Sequence, residues 1–205
     1  MFLILANVKY FYINVANFTI QTINRYGVSK HGDGFLWQLF GLYQQGVKQG
    51  YLLNYVVNQQ QISPFTYKNI VAIGLRLGEY DYVRGFLEDY RAALPKADRR
   101  TYYHYNLARY HYTVKAYTDA MPILNKLEGN QVFLLLDAKL MLLKIYYELK
   151  EYDVLEAHLR AFGQFLHRKR NVLSYHQANY KNIIGITKSL MELEPHNAAE
   201  LAILR

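Results

Sequence analysis

The chain has 205 residues, of which 52 % are hydrophobic and 20 % charged, with a formal net charge of +8; that balance excludes a disordered chain and permits a sizeable core. It contains no cysteine, which excludes disulfides, thiolate catalysis and cysteine-ligated zinc or iron–sulfur centres. Four prolines and twelve glycines are too few for an all-β design, which needs turn residues at short, regular intervals. The positive excess is spread along the sequence with no conspicuously basic segment, so charge alone marks no nucleic-acid site.

Residues 3–26 predict a helix, with Ile4, Val8, Phe11, Val15 and Phe18 on one face. No positive charge precedes its apolar start, and Asn7, Lys9 and Asn14 interrupt it, so it reads as a buried repeat helix rather than a leader or a membrane span. With the missing cysteines, this gives a cytoplasmic location as the expectation. Gly27 to Gly34, including His31-Gly32-Asp33-Gly34, is a turn with no preceding strand and hence no nucleotide-loop context. Asn17-Phe18-Thr19 fits a glycosylation acceptor only by chance, since it lies mid-helix.

A second helix is expected over residues 35–49, with Leu36, Phe40, Tyr43 and Val47 on one face. Residues 51–57 read as either helical or extended, and the polar run 58–61 as a loop. Ser63-Pro64 marks a helix start, with serine available to cap and proline at the first helical position. Helices then follow over 64–77, 79–93, 100–113, 118–127, 131–149, 152–168 and 174–193, and the last ends before Glu194-Pro195. Residues 198–205 form one further helical turn or two.

Three segments recur within this series: Leu77-Gly78-Glu79-Tyr80-Asp81-Tyr82-Val83, Val114-Lys115-Ala116-Tyr117-Thr118-Asp119-Ala120 and Leu149-Lys150-Glu151-Tyr152-Asp153-Val154-Leu155. Their tyrosines stand 37 and 35 residues apart, a period that implies stacked helix pairs. The organisation is read as residues 1–62, three repeats within 63–170 (63–97, 98–130 and 131–170), and a C-terminal helix and tail over 171–205. Tyr80, Tyr117 and Tyr152 are assigned a structural role, each with its ring in the core at the junction of a pair and its hydroxyl at the edge.

These residues resemble the tetratricopeptide repeat family. The first unit matches through Tyr67, Ile70, Gly78-Glu79-Tyr80, Val83 and Pro95, the second through Leu107, Ala108, Tyr117 and Ala120, and the third through Leu142, Tyr146 and Tyr152. Leu155 replaces the usual alanine, and the two later units lack the closing proline. The part from Ser63 onward is also similar to an uncharacterised bacterial group of repeat proteins, which implies no activity. The resemblance implies an all-α, right-handed α-solenoid of antiparallel helix pairs, about nine helices in all. It further implies that the first helix of each pair lines a concave groove.

Transferred by register, the groove positions are Lys68 and Arg76, then Tyr102, Tyr105, Arg109 and Tyr112, then Lys144 and Tyr147. Basic and aromatic side chains together suit a protein or peptide partner, acidic by preference. The family's clamp for a terminal carboxylate is incomplete here. Lys68 and Asn106 occupy two clamp positions, but Ala72 stands for an asparagine, and Asp137 and Met141 replace a basic pair.

Nothing in the sequence assembles a catalytic centre, and neither a cofactor nor a metal is expected. His104 and His111 are seven residues apart, about 10 Å along a helix and too far to share an ion, and both fall at core-type positions. His167-Arg168-Lys169-Arg170 is the densest basic run and sits at a helix C-terminus, where positive charge complements the dipole, the alternative being a patch for an acidic or phosphate-bearing partner. The leading expectation is a non-catalytic adaptor. The alternatives are a single-stranded nucleic-acid binder, with tyrosines stacking on bases, and an oligomer formed through uncapped terminal helices.

Overall fold

The computed structural model describes residues 34–56, 59–173 and 176–203. The expected helix over 3–26, the glycosylation motif and most of the turn before Gly34 lie outside the described residues. The described residues form nine helices and one two-stranded hairpin. They divide into two compact units, one ending at Ile123 and the other beginning at Leu124. That boundary falls inside the expected second repeat, 98–130.

In the first unit, α1 (Gly34–Lys48) buries Leu36, Leu39, Phe40, Tyr43 and Val47 at helical spacing. Gly50, at φ 75°, turns the chain into β1 (Leu53–Val56), which pairs antiparallel with β2 (Gln59–Ile62), Leu53 facing Ile62. Within the expected segment 51–57, residues 53–56 take the extended alternative, and within the loop expected at 58–61, residues 59–61 are strand instead. The polar run Gln59-Gln60-Gln61 gives no alternating pattern, and the strand is held instead by Ile62. That side chain is fully buried, and its N–H donates to the Ala93 carbonyl oxygen at 3.0 Å.

Helix α2 (Pro64–Leu77) starts where expected, with proline in its first turn, but Ser63 makes no side-chain capping bond. It packs against α1, α3 (Tyr80–Asp89) and α4 (Lys96–Thr113). Gly74 lets α1 and α3 approach it closely: a Cβ there would lie 2.5 Å from Val83 Cγ2 and 3.0 Å from Phe40 Cε2. Helix α4 begins four residues earlier than expected, directly after Pro95. Arg99 ties this start to the preceding connector by donating to the Ala92 and Leu94 carbonyl oxygens, at 2.6 and 2.9 Å. Helix α5 (Tyr117–Asn125) follows.

The second unit holds α6 (Val132–Glu148), α7 (Tyr152–Arg168), the short α8 (Arg170–Leu173) and α9 (His176–Ile203). Helix α7 packs on both α6 and α9. Leu136, Ile145, Leu155, Phe162 and Leu166 are fully buried between these elements. Helix α9 runs on through Pro195, contrary to the stop expected before it. Proline removes one intrahelical hydrogen bond, and here a helix of 28 residues continues past that loss.

The packing of consecutive helices in pairs is that of a generic helical-repeat architecture. Its period appears in the backbone as well as in the sequence. Gly78, Lys115 and Lys150 all have positive φ, at 79°, 60° and 60°. Each closes the preceding helix with the same two bonds. Gly78 N–H donates to Leu75 O and Glu79 N–H to Gly74 O; Lys115 and Ala116 donate to Tyr112 and His111; Lys150 and Glu151 donate to Tyr147 and Tyr146. This is the Schellman pattern, in which a left-handed residue satisfies the last carbonyls of a helix.

Candidate interaction surface

Each left-handed residue stands two positions before a repeat tyrosine, so the turn aims that tyrosine into the next helix. Two of the three rings pack on a tyrosine five residues earlier. Tyr117 stacks on Tyr112 with centroids 6.0 Å apart, and Tyr152 meets Tyr147 edge-on at 6.4 Å. Their expected placement needs correction in two respects. Tyr80, whose counterpart five residues back is Leu75, is 39 % exposed. The Tyr152 hydroxyl, expected at the edge, is enclosed with no hydrogen-bond partner.

Helices α2 and α4 of the first unit carry most of the expected groove positions. Tyr102 and Tyr105 are corrected from surface to core, being 3 % and 2 % exposed. Their rings back other side chains. The Lys68 ammonium lies 5.9 Å from the centre of the Tyr105 ring, within reach of a cation–π attraction. Phe65 meets the Tyr102 ring edge-on at 6.3 Å and is itself 70 % exposed. Arg76 is exposed, and Arg109 and Tyr112 are half-buried. Phe65, Lys68, Ala72 and Arg76 follow helical spacing along α2, so they share one face. Sequence reasoning missed Phe65 as a contact residue; its position three residues before Lys68 is the signal that identifies it.

Beneath this face, Tyr67 is fully buried and its hydroxyl donates to the Leu87 carbonyl oxygen at 2.9 Å. Burial pushes its phenol far above the ordinary range. Tyr103 donates to Glu88 Oε1 at 2.7 Å, with the Arg91 guanidinium 4.3 Å from its ring centre. Asn106 points inward: it is fully buried, its Nδ2 donates to the Tyr102 carbonyl oxygen at 2.7 Å, and its Oδ1 has no partner. It therefore presents no clamp to the surface. Between α1 and α3 a depression of about 770 Å³ is lined by Tyr82, Phe86 and Tyr90. These rings stack along α3, with successive centroids 6.2 and 4.9 Å apart. Burial raises the Tyr82 phenol to about 12.

In the second unit, Lys144 is exposed and Tyr147 half-buried on α6. His167 and Arg168 end α7, Lys169 separates it from α8, and Arg170 opens α8. On α9, Ile183, Ile186, Leu190 and Leu193 form an exposed apolar row, Ile186 being 61 % exposed.

The two histidines expected in the core are half-buried instead. His104 lies edge-on to Tyr103, and His111 Nδ1 is 3.9 Å from Asp119 Oδ2. Among the described residues, no group of three histidine or carboxylate side chains is placed to hold a metal ion. None of the described helices is long and apolar enough to cross a membrane. No family model matches the chain, and neither the curated proteins nor the solved structures yield a match.

Proposed function

We propose that the chain is a non-catalytic adaptor of tetratricopeptide-like helix pairs, arranged as a right-handed solenoid, that binds a protein or peptide. The observation that carries this reading is the face of α2, where Phe65 is 70 % exposed and lies in helical register with Lys68 and Arg76. A large ring resting on buried tyrosine is a rigid apolar anchor, and flanking cations favour an acidic partner. Combining Phe65→Ala with charge reversal at Lys68, Arg76 and Arg109 is expected to abolish partner capture from native extract while leaving the thermal midpoint within a few degrees. Retention of the same partners by this variant would overturn the assignment.

Nucleic-acid binding is less well supported, because stacking on bases requires free rings, and Tyr102 and Tyr105 are buried. Self-association has a specific observation in its favour, the apolar row on α9. Ile186→Lys would then lower the mass measured by light scattering at high concentration. A wild-type protein that is already monomeric there would remove this reading.

A further inference from the structure

A cleft of about 510 Å³ lies wholly within the second unit. That volume falls among the roughly 300–1,000 Å³ of small-molecule sites. From α6, Leu135, Ala138 and Leu142 line it, and from α7, Ala161 and Phe165; Leu124 and Leu127 close it from the end of α5 and the connector. Ala138 is buried in this lining and Ala161 is exposed. Asn125, Glu128, Lys139 and His158 are the polar side chains among its lining.

One cation projects into it. Lys139 follows Ala138 on the cleft face of α6, and its ammonium lies 5.1 Å from the centre of the Phe165 ring. No carboxylate among the described residues pairs with Lys139. Burial first of all, and then the charge of Arg168, one turn beyond Phe165 on α7, lowers the Lys139 pKa. A partly buried ammonium thus lines the cleft against an aromatic ring with no paired carboxylate, a position that an incoming anion would relieve. His158 on the same wall is held by its hydrogen bond to the Lys139 carbonyl oxygen at 2.9 Å, which fixes the α6–α7 spacing. Glu128 at the rim disfavours a second negative charge on the ligand.

We infer that this cleft binds an aliphatic monocarboxylate, with the chain against Leu135, Ala138, Leu142, Ala161 and Phe165 and the carboxylate on the Lys139 ammonium. This site is independent of the α2 face and does not rest on the adaptor reading. The test is calorimetric titration of the full chain with sodium octanoate. Saturable one-to-one binding is expected, weakened at least about tenfold by Lys139→Met, which keeps an unbranched apolar stem but removes the charge. Ala161→Leu, which fills the cleft without touching the charge, is expected to weaken binding as well. Octanol, with the same chain and no carboxylate, should bind about tenfold more weakly than octanoate. Absent saturation, equal binding of octanol, or unchanged affinity in a Lys139→Met protein with a wild-type thermal midpoint would each overturn the proposal. So would preferential binding of an acetylated peptide ending in leucine.

Discussion

His158 lies between Tyr146 and Phe162, with ring centroids 5.6 and 6.1 Å away, and its Nε2 is 2.9 Å from the Lys139 carbonyl oxygen. A carbonyl only accepts, so Nε2 carries the proton and donates. Burial lowers the His158 pKa first of all, the hydrogen bond opposes this, and the Lys139 charge lowers it further. Above the unfolded value of about 6.5 both states are neutral. As pH falls below it, the unfolded chain takes up the proton first, so stability is lost with acidification. The thermal midpoint is expected to fall between about pH 7 and pH 5, and His158→Gln should flatten that dependence relative to wild type. An unchanged slope in the variant would show that His158 does not carry the effect. Register alone assigns Tyr102 and Tyr105 to the surface, whereas packing buries them. A tyrosine satisfies a core position and a groove position equally well in sequence, and only packing distinguishes them.

The element that organises the molecule is the turn between paired helices. At Gly78 the left-handed conformation costs little, because glycine has no Cβ. At Lys115 and Lys150 the same conformation crowds the side chain against the backbone, at a cost of about 1 kcal/mol. Replacing Lys150 with glycine is therefore expected to stabilise the protein by about 0.5–1 kcal/mol, the gain being limited by the greater freedom of glycine in the unfolded chain. Chemical denaturation would register this as a higher midpoint with an unchanged slope; a lower midpoint would contradict the role given to φ. This turn was legible in the sequence because a tyrosine marks it each time. Helices α1, α2, α6 and α7 were legible to within a residue or so, since their apolar spacing runs unbroken between turn residues. The hairpin was not legible, because its second strand is polar apart from Ile62 and is secured by a backbone bond to Ala93. The passage of α9 through Pro195 was equally hidden, as the usual sequence sign of a stop does not act as one there. At the candidate surface, register in the sequence points to Lys68 and Arg76, and exposure adds Phe65, three residues before Lys68.

At the scale of the molecule, the helices of each unit bury their apolar faces on neighbouring helices, and several side-chain hydrogen bonds join one element to another. Tyr67 bonds to Leu87, Tyr103 to Glu88, Asn125 to Tyr146 and Gln177 to Leu166. Such bonds fix how one helix lies on the next. The recognition surface proposed for the protein is the exposed face of α2. Its most direct test is parallel capture by immobilised wild-type chain and by the variant combining Phe65→Ala with charge reversal at Lys68, Arg76 and Arg109, both verified to have matching thermal midpoints. A protein or peptide retained by the wild type and lost by the folded variant is the predicted result. Identical retained material on both would contradict it.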